Sequence, residues 1–154
     1  MSYKAVSAYA GDHFQNASKT FNNRTGATSV LGGTAAVDVA QAESESDSII
    51  NGLGNAKAVS TALMAAGLIG VWEKAGIADN AAGGLIIGEG VRCKVNVDST
   101  TDISKGDALK CVNAGDHMVK ATTGTDRYHA IALEARTSND EGTIEALLFS
   151  SGRF

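Results

Sequence analysis

Val91-Arg92-Cys93-Lys94-Val95-Asn96-Val97 is the stretch on which the fold turns, because apolar Val91, Cys93, Val95 and Val97 alternate with polar Arg92, Lys94 and Asn96. A period of two sends the first set to one face of a strand and the second set to the other, one face buried and one wet. Outward from it, short apolar runs bounded by turn residues recur about every ten residues from Leu68 onward, the pattern of an antiparallel sandwich or barrel. The expected strands are Leu68–Lys74, Leu85–Val97, Ala108–Val112, His117–Ala121, Tyr128–Ala135 and Thr143–Phe149. Asn113-Ala114-Gly115-Asp116 and Asn139-Asp140-Glu141-Gly142 supply residues that tolerate positive φ where hairpins must turn. The fold class read from this pattern is all-β, a small antiparallel β-barrel or sandwich.

Towards the N-terminus the pattern fades. Ala35-Ala36-Val37-Asp38-Val39-Ala40 reads as a strand, and the acidic run Glu43-Ser44-Glu45-Ser46-Asp47-Ser48 reads as a solvated loop. That run lacks the glycine and the terminal bidentate glutamate of a calcium-binding EF-hand loop. Residues 49–66 mix Gly52 and Gly54 with an alanine-rich stretch and fit a short helix or a strand equally. Residues 1–34 are rich in Ser, Thr, Asn and Gly, with isolated aromatics and no sustained period. Such a segment buries too little surface to order itself, so it is read as an extended N-terminal arm that orders on a partner. Tyr3, Tyr9, Phe14 and Phe21 are its expected anchors, against the plainer reading of a tail without a role. The expected organisation is an arm at 1–34 and a β-rich domain at 35–154, most regular from 67.

Composition narrows the function classes. A chain of 154 residues suits one domain, and at this length folding buries roughly two-thirds of the unfolded surface. The net charge is −4 and no two Lys or Arg residues are adjacent. The basic footprint of a nucleic-acid binder is therefore missing. No run approaches the length needed to cross a bilayer, and Met1-Ser2-Tyr3-Lys4-Ala5 lacks the apolar core of a signal peptide, so the protein is expected to stay in the compartment where it is made. Cys93 and Cys111 are too few for a disulfide framework or a four-cysteine zinc site and are read as buried strand thiols. Asn16-Ala17-Ser18 and Asn23-Arg24-Thr25 match the glycosylation pattern by chance in a chain with no secretory signal.

A catalytic constellation does not emerge. His13, His117 and His129 are widely separated and show no metal-ligand spacing, so they are read as surface or edge residues. Nothing marks either cysteine as an activated partner of a histidine. Gly83-Gly84-Leu85-Ile86-Ile87-Gly88-Glu89-Gly90 matches neither phosphate-binding glycine pattern, and its glycines are assigned to turns or bulges. Asp98 with Asp102, and Asp140 with Glu141, are assigned to exposed turns. No catalytic, metal or cofactor-binding residue is assigned, and the chain is read as a non-enzyme that uses no cofactor.

Three segments carry a family resemblance. Ile103-Ser104-Lys105-Gly106-Asp107-Ala108-Leu109-Lys110 resembles the glycine-aspartate hairpin of small tailed-phage capsid decoration, or cement, proteins. Ala130-Ile131-Ala132-Leu133-Glu134-Ala135 and Gly142-Thr143-Ile144-Glu145-Ala146-Leu147-Leu148-Phe149 resemble two further strands of that family, with Ala130 where a glycine is common. Gly67-Leu68-Ile69-Gly70-Val71 and Gly88-Glu89-Gly90-Val91 follow its glycine rhythm, so the resemblance covers about residues 67–150.

The resemblance implies a compact β domain that binds the outer surface of the assembled head, often as a homotrimer, and stabilises contacts between major capsid proteins. The implied partners are the major capsid protein and further copies of the chain. The implied location is the virion's outer capsid surface, with the host cytoplasm during assembly, and neither nucleic acid nor membrane is expected as a partner. An arm of 34 residues spans at most roughly 100 Å when extended, enough to reach between capsid subunits. Short strands whose edges need covering also favour a cyclic assembly. The rival readings are a receptor- or glycan-binding β domain of a fibre or tail, and a small β-barrel enzyme. Exposed loop aromatics would favour the former, whereas aromatics make up 5% of this chain and half of them fall in the arm.

Overall fold

The structure, a computed structural model, describes residues 18–25, 33, 35–38, 54–60, 68–98, 100–113, 117–122, 124–137 and 142–154. Their regular structure is all strand: β1 (Ser18–Asn23), β2 (Ala35–Asp38), β3 (Gly54–Ala58), β4 (Leu68–Trp72), β5 (Ala82–Ile86), β6 (Glu89–Val97), β7 (Ala108–Cys111), β8 (Met118–Lys120), β9 (Tyr128–Ala132) and β10 (Gly142–Arg153). The protein is thus all-β, as the alternation implies.

The strands form two closed rings. In the first the order is β1-β3-β2-β4-β5, with β5 returning to β1; in the second it is β10-β6-β8-β7-β9, with β9 returning to β10. Pairing is antiparallel except for β1 with β3 and a single parallel pair, Val97 with Met118, between β6 and β8. Because each ring closes within the chain, the described strands need no neighbouring copy to cover an edge. The edge argument for a trimer therefore falls away, and the trimer rests on the resemblance alone.

Two expected boundaries move. The stretch expected as one strand, Leu85–Val97, is divided: β5 belongs to the first ring and β6 to the second, so the chain changes ring at Ile87-Gly88. An apolar run gives no hint of such a crossing, because both parts are extended. Within the expected arm, Ser18–Asn23 is paired with β3 on one side and β5 on the other. One apolar residue in six leaves no period to read, yet two flanking strands bury it, and Phe21 is 6% exposed. The undecided segment 49–66 contains a strand at Gly54–Ala58, and the expected strand at residues 35–40 is seen at Ala35–Asp38.

Packing follows the alternation. Val91, Cys93, Val95 and Val97 on β6 are buried while Arg92 and Lys94 are exposed, and on β10 Ile144, Ala146 and Leu148 face the same core. That core also takes in Ile69, Val71 and Ile86 from the first ring. Opposite faces of β4 and β5 turn Trp72 and Leu85 into a smaller core with Phe21, Ala36 and Ala56. The two strands are thus a wall shared by both cores. Gly70 keeps the wall thin, because a Cβ there would lie 2.5 Å from Leu85 Cγ.

Gly33 fastens the rings to each other. Its N–H donates to Trp72 O at 2.8 Å in the first ring, and its carbonyl accepts from Asn96 N at 2.8 Å in the second. With φ at +83° and a Cβ position 2.9 Å from Asn96 N, no residue but glycine fits without displacement.

Candidate functional site

The three segments that resemble the decoration family are spatial neighbours in the second ring. Ile103 and Arg136 exchange backbone hydrogen bonds of 2.8 and 2.7 Å. The chain then turns at Lys105-Gly106, where Gly106 takes φ +95° and donates to Ala132 O at 2.8 Å. Asp107 closes the turn, since its carboxylate accepts from Ser104 N at 2.8 Å while its own N–H donates to Ser104 O at 3.0 Å. A carboxylate bonding its own backbone three residues back is the local reason for aspartate after glycine here.

The same carboxylate receives Lys120 Nζ from β8 at 2.8 Å. The Lys120 hydrogen bond and then the Ser104 N–H hold Asp107 below the ordinary carboxylate range. Asp107 O accepts from Ala132 N at 2.9 Å, and Ala132 sits opposite Ala146 of β10. Residues 103–111, 128–136 and 142–149 therefore form one continuous wall, with Leu109, Ala130, Ala132 and Leu148 sealed inside it.

The outer face of the second ring is charged. Arg92 on β6 pairs with Glu145 on β10, and Glu145 N donates to the Glu134 carboxylate at 3.0 Å. A shallow depression lined by Arg92, Cys93, Lys94 and Glu145 lies there. The Glu145 hydrogen bond and charge raise the Arg92 pKa further, so the guanidinium stays charged at any physiological pH.

The residues weighed for chemistry do not converge. Cys93 and Cys111 are free and buried in β6 and β7, and burial pushes both thiols up to about 12, which leaves them protonated and inert. His117 lies 3.8 Å from Asp98 at a partly exposed position. Among the described residues no group of three or more His, Cys, Asp or Glu stands close enough to hold a metal ion. His13, Asp140 and Glu141 lie outside the described residues.

Of the four expected anchors, Tyr3, Tyr9 and Phe14 also lie outside the described residues. Phe21 does not reach outward, because it fills the first ring's own core.

No protein-family profile matches the chain, and no curated protein matches its sequence. A solved structure that it overlays is the head fiber gp8.5 N base of bacteriophage phi29, at 11% identity and a TM-score of 0.49 over 89% of this chain and 97% of that one. A likeness so distant carries no argument about this chain.

His129 departs from the surface reading of the histidines. It is 2% exposed on β9 because the end of β10 folds across it. Burial, and then the nearby Arg127 charge, lowers its pKa to about 4, with Glu89 pulling weakly the other way. Its neighbours Glu89 and Gly152 lie tens of residues away along the chain, and no local pattern marks such a contact in a single sequence.

Proposed function

We propose that the chain is a tailed-phage capsid decoration protein that binds the outer surface of the assembled head and stabilises contacts between major capsid proteins. The observation that carries this reading is the assembly of the three resembling segments into one wall of the second ring. Gly106 and Asp107 of the first segment bond to Ala132 of the second, and Ala132 pairs with Ala146 of the third. The closed rings add a physical argument: a body whose strands are paired internally offers side chains, not strand edges, to a shell.

In this reading the charged face bearing Arg92, Lys94, Glu134 and Glu145 lies exposed on the rigid body. Tyr3, Tyr9 and Phe14 are the arm's anchors on the major capsid protein. The protein acts as a homotrimer, three weak contacts on one hub giving avidity beyond any single contact. It is not an enzyme, needs no cofactor, and sits on the virion surface after assembly in the host cytoplasm.

The test is co-sedimentation with heads of the phage that encodes it, using the whole chain and a chain lacking residues 1–17. The whole chain is expected to pellet with heads, and the truncated one to bind at least tenfold more weakly while keeping its oligomeric state. No pelleting with heads, or binding to a glycan surface instead, would overturn the proposal.

A further inference from the structure

The last turn of β10 is held differently from the rest of the strand. Up to Leu148 it pairs regularly with β6 and β9, but after Leu148 the register breaks on both sides, and regular pairing to β9 resumes only at Arg153 with Tyr128. Across the break, side chains share the holding with a few backbone contacts. Gly88 N donates to Ser150 Oγ at 2.9 Å and Ser150 N donates to Gly88 O at 3.0 Å. Ser151 gives both its N–H and its hydroxyl to Glu89 Oε1 at 2.7 Å each, and Arg127 donates to Ser151 O. Arg153 stacks 4.3 Å over the Phe149 ring, which meets Tyr128 edge-on at 6.5 Å.

Under this segment lies His129. Gly152, at φ +73°, presses on it so closely that a Cβ would sit 2.9 Å from His129 Nε2 and would collide with Arg127 Nε. His129 Nδ1 and Arg127 Nε are buried with no hydrogen-bond partner among the described residues. A protonated imidazole here would be a buried cation beside a guanidinium, with one N–H unanswered.

We propose that Phe149–Arg153 is an acid-sensitive latch, closed over neutral His129 and released when His129 takes up a proton. The charged groups around the imidazole are few. Arg127 precedes it on its own strand, Glu89 stands on β6, and Arg153 on β10 lies 3.8 Å from Glu89. On the β7 side Lys110 and Asp126 are bound to each other at 2.8 Å. Among the described side chains Glu89 is the carboxylate bound at the latch, and Ser151 and Arg153 already occupy it, so a second cation would compete with them for it.

The linkage has a definite sign. The closed latch holds His129 at about 4, against the ordinary 6.5. Below 6.5 the opened segment accepts a proton that the closed one refuses, so opening becomes easier as pH falls towards 4. Between pH 7.5 and 5.0 the opening equilibrium should rise about 30-fold.

Amide hydrogen exchange on the whole chain, corrected for the intrinsic effect of pH, reads this directly. Protection of Ser150 and Ser151 is expected to fall about 30-fold over that range while protection of Ala146 and Leu147, in the paired centre of the same strand, changes little. In His129→Gln the pH dependence is expected to vanish. Unchanged protection of Ser150 and Ser151 in the wild type, or an equal loss at Ala146 and Leu147, would overturn the latch even if the variant fails to fold.

Discussion

The two rings reach closure with unequal means. The second owns a deep core in which Val91, Val95, Val97, Leu109, Met118, Ile144 and Leu148 are joined by Ile69, Val71 and Ile86 from the neighbouring wall. The first closes over Phe21, Trp72 and Leu85 with two alanines, Ala36 and Ala56. Among the described residues Ile77 and Ile87 add partly buried apolar surface to that core, and Trp72 is its largest side chain. The outer face of its own β4 and β5 is sunk in the second ring's core, which steadies the first ring.

The largest expected effect is at Trp72. Trp72→Ala removes the biggest side chain of the smaller core and should cost about 3–5 kcal/mol. Hydrogen exchange should show the loss in β1, β2 and β3 while β6, β7 and β10 keep their protection. An equal loss in both rings would mean that they are one cooperative unit with no weaker half.

Gly33→Ala comes next. It places a methyl at a positive φ and against the backbone of β6, a strain of roughly 1–3 kcal/mol. The rings should stay closed and joined through the shared wall of β4 and β5 while the Gly33 contact loosens, seen as faster exchange of the Asn96 amide, which donates to Gly33 O. Unaltered protection of that amide would show that Gly33 is no clasp.

The smallest effect is at Arg92. Its pair with Glu145 is solvent-exposed, and such pairs contribute little to folding. Arg92→Ala should leave the thermal midpoint unchanged within error. If the charged face meets the shell, the same variant weakens head binding, so stability and binding separate at this one residue.

How much of this was legible in the sequence differs between the rings for the same reason. On β6 every second residue from Val91 to Val97 is a valine or a cysteine, so the period of two is plain and its faces were assigned, whereas β10, with Ala146 inside and Leu147 outside, was found as a strand without its faces. The Gly106-Asp107 hairpin came from the family resemblance, and the structure supplies its local chemistry in the Asp107 carboxylate bound to Ser104 N. In the first ring β1 offers only Phe21 and β3 only alanines, and strands that bury alanine and asparagine leave no alternation to detect. Asn22 and Asn55, 1% and 2% exposed and opposite each other on parallel strands, look like loop residues in the sequence. The crossing at Ile87-Gly88, the burial of His129 and the Gly33 clasp depend on partners far along the chain, which one sequence does not reveal.

The arm also needs a new boundary. Deleting residues 1–30 would remove β1 and open the first ring, so a loss of binding would report unfolding. A deletion that stops at residue 17 spares every described strand.

The most direct test of the central claim is a cryo-electron microscopy reconstruction of heads from the encoding phage, with and without the gene for this chain. Extra density is expected on the outer surface of the heads that carry it, fitted by the two closed rings and repeated around three-fold or quasi-three-fold axes. Identical shells with and without the gene, or density for this chain only on a tail or fibre, would contradict it.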